Sequence, residues 1–185
     1  MFDIITNTGC CAVETQFIPA RVPYWYAVYT RSNFEKRVAA ELESRGVQHF
    51  LPVIQEEHQW KDRKKAIDVP VFPGYVFARF ANREEERLSV LRSNGVVRIL
   101  GADGTIEAIP DTEIQSIQRL VKSGLPFYAY PFLREGTRVR ITRGVLKDME
   151  GTLVRFKNSA RLVLSVNQLA QSIAFEVDTR DVEAI

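Results

Sequence analysis

From Tyr24 to Thr30 almost every position is aromatic or aliphatic, with Tyr24, Tyr26 and Val28 on one side of an extended chain and Trp25, Ala27 and Tyr29 on the other. Such a stretch is a strand with a core on at least one face. The period then lengthens: Phe34, Val38 and Leu42 recur at i, i+4 and i+8 behind Ser32 and Glu35, a capping-box spacing, and Gly46 follows Arg45. Asn33 to Arg45 is therefore expected to be an amphipathic helix. Val47 to Ile54 reads as a strand, and Glu56 to Val69 as a hairpin whose tip is Lys61-Asp62-Arg63-Lys64-Lys65. A strand from Tyr75 to Phe80 and a short helix from Asn82 to about Arg92 come next, the helix with Glu84-Glu85-Glu86 in its first turn. Val96 to Leu100 is a further strand. Pro110 and Asp111 open a third helix, with Ile114, Ile117, Leu120 and Val121 on one face and Gly124 as its stop.

Beyond Gly124 the helical period disappears. Leu125 to Leu133, Leu-Pro-Phe-Tyr-Ala-Tyr-Pro-Phe-Leu, is a linker too aromatic to be freely solvated, and part of it is expected to pack on a neighbouring surface. Short alternating stretches follow at Arg138–Ile141, Gly151–Phe156, Ala160–Val166 and Ile173–Val177, punctuated by Gly136, Gly144 and Gly151. A small five-stranded barrel closes such a pattern. Leu162 to Ala170 also reads as helix, but the Val, Ile, Thr and Phe content favours strands. The expected fold class is α+β: a tail over residues 1–23, an α/β sandwich on a mainly antiparallel sheet over 24–124, a linker over 125–133 and a small SH3-like β-barrel over 134–185.

The stretch Val69-Pro-Val-Phe-Pro-Gly-Tyr-Val-Phe77 stands out within this order. Pro70 and Pro73 supply no ladder N–H and extend the residues before them, and Gly74 can turn sharply into the apolar strand that follows. Two readings account for it: a turn into a core strand, or a corner that holds Phe72 and Tyr75 out as aromatic anchors.

Composition narrows the function. The chain has 185 residues and a formal net charge of +2, so any basic function is local rather than global. Cys10 and Cys11 are adjacent in the tail with no histidine at ligand spacing, which argues against a disulfide framework or a zinc site. No apolar run approaches the roughly 20 residues of a membrane span, and the N-terminus has no signal-peptide core, so a cytoplasmic protein is expected. His49 and His58 lack a nucleophile or carboxylate constellation, and Gly101-Ala102-Asp103-Gly104 is a turn pattern rather than a phosphate loop. Neither catalysis nor a cofactor is expected. The basic tip suits either a solvated loop or contact with a nucleic-acid phosphate backbone.

Phe72-Pro-Gly-Tyr-Val-Phe77, preceded by Trp25-Tyr-Ala-Val-Tyr29 and followed by a basic, glycine-spaced terminal domain, resembles the NusG family of transcription elongation factors, an NGN domain joined to a KOW domain. The resemblance covers about Tyr24 to Ile185. It implies that the N-terminal domain binds the clamp helices of the largest RNA polymerase subunit through Tyr29, Phe72, Pro73, Gly74 and Tyr75. Arg31 and Arg37 match positions that face non-template DNA in specialised relatives, and Lys61, Arg63, Lys64 and Lys65 are further nucleic-acid candidates. The stretch from Glu84 to Leu88 matches the region that touches the opposite polymerase pincer. Gly136, Val139, Ile141, Gly144 and Gly151 carry the KOW signature.

By the same resemblance the barrel would recruit a small-subunit ribosomal protein or termination factor Rho, with Leu169 at a ribosomal-protein contact where the housekeeping member has phenylalanine. The linker and tail look more like specialised, operon-specific paralogues of the RfaH/UpxY type than like the housekeeping factor. A monomer without cofactor or metal is implied, acting in elongation and antitermination. An RNA-binding, ribosome-associated KOW protein is the reading from another class; it would interleave aromatics with basic residues on a sheet, whereas here they are separated.

Overall fold

The computed structural model describes residues 22–60, 63–101, 105–130, 136–155 and 160–185, with the backbone alone for 57–60, 63–65 and 155. The expected tail, up to residue 21, lies outside the described residues. In chain order the elements are β1 (Pro23–Thr30), α1 (Glu35–Ser44), β2 (Gln48–Phe50), β3 (Val53–Trp60), β4 (Arg63–Pro70), β5 (Tyr75–Ala81), α2 (Glu84–Leu91), β6 (Val96–Ile99), β7 (Ala108–Ile109) and α3 (Asp111–Ser123). Then come β8 (Phe127–Tyr130), β9 (Thr137–Ile141), β10 (Glu150–Arg155), β11 (Ala160–Val166), β12 (Gln171–Val177) and β13 (Val182–Ala184).

Strand β1 is the centre of the first sheet, whose order is β2-β5-β1-β6 with β7 also on β1. It pairs antiparallel with β5 from Pro23↔Ala81 to Tyr29↔Tyr75. The two-residue period then sorts the side chains. Tyr26, Val28, Val76, Ala78 and Phe80 meet Val38, Ala39 and Leu42 of α1 and Val90 of α2. Trp25, Ala27 and Phe77 turn the other way and join Ile114, Ile117 and Leu120 of α3. At about 25 cal/mol per Å², burying these two faces is the dominant force holding the sandwich together.

Local signals were realised unevenly. No side chain caps α1: Glu35, expected to close a capping box with Ser32, instead accepts a hydrogen bond from the Gly74 N–H at 2.7 Å. The strand expected over Val47 to Ile54 breaks at Leu51-Pro52 into β2 and β3. Pro52 has no N–H for a ladder, and its carbonyl instead accepts from the Val71 N–H at 2.9 Å. The hairpin β3–β4 forms in register from Val53↔Pro70 to Trp60↔Arg63.

The second sheet has the order β13-β9-β10-β11-β12-β8, all antiparallel neighbours, and makes the small C-terminal β-barrel. Its core is Val139, Ile141, Leu162, Leu164, Ile173 and Phe175. The sequence pattern accounts for β9 to β12; β13 and β8, the latter contributed by the linker, bring the sheet to six strands where five were expected. Leu162 to Ala170 is strand to Val166, then a 3-10 turn, Asn167–Leu169, ended by Ala170 at φ 49°. Gly151 is required by close approach: a Cβ there would lie 2.8 Å from the Val163 carbonyl oxygen. The barrel packs on α3, and one continuous apolar cluster runs from Ile114 and Ile117 into Leu164, Val166 and Leu169. Among the described residues no helix is long and apolar enough to cross a membrane.

Candidate functional site

The Pro-Gly corner sits where β1 ends. Gly74 has φ 82°, a conformation an L side chain resists, and its backbone is fixed on both sides: its carbonyl accepts from the Thr30 N–H at 2.8 Å, and its N–H donates to buried Glu35 at 2.7 Å. A carboxylate at the start of α1 thus holds a corner 39 positions further along the chain. The turn carries β5 away in a register that places Tyr75 opposite Tyr29. Their rings lie 5.4 Å apart at 48°, within the range for a favourable aromatic pair. Tyr29 is 36% exposed, Tyr75 half-buried and Pro73 exposed. Arg98 of β6, opposite Tyr29 in the ladder, places its guanidinium 5.8 Å from the Tyr29 ring centre.

Phe72 corrects the expectation of an exposed anchor. It is 1% exposed and meets Phe77 edge-on at 5.7 Å. Phe77 in turn stacks on Phe50 at 6.1 Å, so Phe72 belongs to the core beneath the corner. The physical reason is register: the odd residues of β5 face α3, and the corner folds Phe72 back onto that side. The structure brings Tyr29, Pro73 and Tyr75 together at the surface, with Phe72 and Gly74 as their support.

Arg31 and Arg37 are both exposed, and the Arg37 guanidinium lies 5.7 Å from the Phe34 ring centre. Lys61 lies outside the described residues, and Arg63, Lys64 and Lys65 are placed only as backbone on β4. On the barrel, Val139 and Ile141 are buried as the resemblance implies, Gly136 and Gly144 have φ of 148° and 84°, and Gly151 packs under β11. The basic face there is partly neutralised: Arg140 and Arg138 both reach Glu150, at 2.6 and 3.3 Å. Arg140, foremost through its hydrogen bond, holds the Glu150 carboxyl below the usual carboxylate range.

Leu169 is 7% exposed. It sits on the turn that meets the first domain, where Asn167 donates to Glu113 of α3 at 3.4 Å and Gln168 to the Ala108 carbonyl at 3.1 Å. Arg119 of α3 donates to the Val145 carbonyl at 3.3 Å and also to that of Lys147. Between α3 and β10–β11 lies a polar cleft of about 690 Å³. Burial pushes the Glu113 carboxyl up to about 7, against the Asn167 hydrogen bond and with help from the negative charge of Glu107. Sequence reasoning missed Glu35, Arg98 and Glu113. Glu35 was visible only as a capping partner, and the other two carry no local pattern. Among the described residues no group of His, Cys, Asp and Glu could hold a metal ion.

The arrangement is that of an α+β sandwich with an aromatic corner and an appended small β-barrel. A family model described as "Transcription termination factor nusG" matches residues 23–118. The transcription termination/antitermination protein NusG of Chlamydia pneumoniae is 30% identical over 156 residues, which cover 77% of this chain and 84% of that protein. The protein of the same name from Bacillus subtilis (strain 168) is 33% identical over 90 residues, 44% of this chain and 51% of that one. A solved structure described as "Domain interaction in Thermotoga maritima NusG" shares the fold, with a TM-score of 0.53 over 90% of this chain and 99% of that chain at 21% identity. The chain belongs to the NusG family of transcription termination and antitermination factors.

Proposed function

We propose that this chain is a transcription elongation and antitermination factor that docks on the clamp helices of the largest RNA polymerase subunit through Tyr29, Pro73 and Tyr75. The observation that carries the reading is the Tyr29–Tyr75 pair, Tyr29 exposed and Tyr75 half-buried, pinned at a corner whose backbone is bonded to β1 and to Glu35. Two aromatics on a turn fixed by backbone hydrogen bonds offer a large apolar contact at small entropic cost. Phe72 and Gly74 serve as their scaffold. Arg31 and Arg37, exposed beside β1, would meet phosphates of the non-template strand.

The barrel is the recruiting module, for Rho or a small-subunit ribosomal protein. A contact through Leu169 needs the Asn167–Leu169 turn to leave α3, because that turn is now bonded to Glu113 and Ala108. Support for an operon-restricted form of the role is compositional: the tail and the Leu-Pro-rich stretch from Leu125. In a purified transcription assay with bacterial core polymerase, added chain should shorten pauses and alter readthrough at a terminator. A Tyr29→Ala/Tyr75→Ala variant with an unchanged circular dichroism spectrum should not. Equal activity of the two would overturn the assignment.

A further inference from the structure

The linker strand β8 occupies the outer side of β12, in register from Phe127↔Phe175 to Tyr130↔Ser172. Without it, β12 would be an edge presenting unpaired main-chain groups. Phe127 packs against the barrel core, while Tyr128 lies on the opposite face with the Arg161 guanidinium 5.0 Å from its ring centre. The β12 edge thus has two aromatic seats, one on each face. The strand that fills them is held lightly: it has four residues, with Tyr128 36% exposed and Ala129 exposed.

The same strand sets the length of the tether between the domains. Only Gly124, Leu125 and Pro126 separate the end of α3 from β8. While β8 is paired, the β12 edge is confined to within about 14 Å of the end of α3, taking the extended reach of a chain per residue. The bonds from Arg119, Asn167 and Gln168 across the α3–barrel contact are then in reach. With β8 unpaired the tether runs from Ser123 to Thr137, and its extended reach grows to about 50 Å.

We infer that the β12 edge is a docking site for an extended segment of a partner protein, kept filled by β8, and that a partner strand with aromatic residues in the Phe127 and Tyr128 seats displaces β8 and so releases the barrel from α3. Main-chain pairing supplies affinity and the two seats supply specificity. Occupancy and release are linked, so whatever frees the barrel also raises affinity at the edge by the same factor. This stands apart from the polymerase reading, since it rests only on the β8–β12 ladder and the tether.

The probe is a fluorescein-labelled peptide with the sequence of Leu125 to Pro131, Leu-Pro-Phe-Tyr-Ala-Tyr-Pro, added to the full chain carrying Cys10→Ser and Cys11→Ser. Tyr130→Cys/Ser172→Cys, a directly opposed pair, locks β8 when oxidised, because opposed antiparallel residues lie within disulfide reach. Tyr128→Pro/Ala129→Pro frees β8, since one of any two adjacent N–H groups faces the neighbouring strand. The freed chain should bind the peptide at least tenfold more tightly than the reference chain. The oxidised chain should bind at least tenfold more weakly and recover on reduction. Spin labels at the exposed positions Glu43 and Glu183 should report a narrow distance that lengthens and broadens in the proline variant and on saturation with peptide. Equal peptide affinity of the oxidised and reduced forms would overturn the inference, whatever the fate of the proline variant. So would an unchanged label distance in a folded proline variant. A pair that does not oxidise would contradict the register itself.

Discussion

At the corner, three neighbouring residues divide the work of support and display. Phe72 is fully buried, so Phe72→Ala should cost about 3–5 kcal/mol of stability, read as a lower urea midpoint, as for other core aromatics cut to alanine. Tyr75→Ala should lower the midpoint by less than Phe72→Ala does, because its ring is only partly buried against the core. Gly74→Ala should cost about 1–3 kcal/mol for the φ of 82° alone, and its new methyl would stand 3.3 Å from the Tyr29 ring. Glu35→Ala strips the buried Gly74 N–H of its acceptor and should destabilise by about 1–3 kcal/mol. A Gly74→Ala chain as stable as the reference would show that the turn is not under the constraint described. The aromatic content of the corner is legible in the sequence, and so is its stiffness, since both prolines act locally. Which aromatic faces the core is not legible. That depends on the register of β5 against β1, a pairing across some 50 residues that no local pattern encodes.

Among the elements, α3 joins the two halves. Its apolar stripe, Ile114, Ile117 and Leu120, is readable from a 3.6-residue period and points into the shared cluster as expected. Its polar shoulder is not readable, because Glu113 becomes unusual only when the barrel arrives. A carboxyl raised to about 7 favours the packed state fully at acidic pH, and that contribution is lost as pH climbs from the ordinary carboxylate range through 7. Glu113→Gln should therefore raise the melting temperature at pH 8 and make little difference at pH 5. A variant equally shifted at both would mean that Glu113 titrates normally. The linker is the counterpart case. Its aromatics announce that it packs somewhere, but the fact that Phe127–Tyr130 pairs with β12 is a property of the barrel's edge. The split of Val47–Ile54 into β2 and β3 was open to a closer reading, since Pro52 lies within it.

For the whole molecule, two antiparallel sheets share one apolar cluster through α3, and the barrel's contacting turn carries Leu169. The aromatic corner lies at the far end of β1 from Pro23, its backbone bonded to β1 and to Glu35. The proposed docking at the corner and the proposed recruitment through the barrel thus fall on separate surfaces of one chain. The most direct test of the polymerase assignment is equilibrium binding of the full chain and its Tyr29→Ala/Tyr75→Ala variant to core RNA polymerase, with urea unfolding of both as the control for fold. The variant should lose at least about thirtyfold in affinity, the scale of a single interface hot spot of about 2 kcal/mol, while still unfolding in one cooperative transition. Undiminished binding by the variant would contradict docking through Tyr29 and Tyr75.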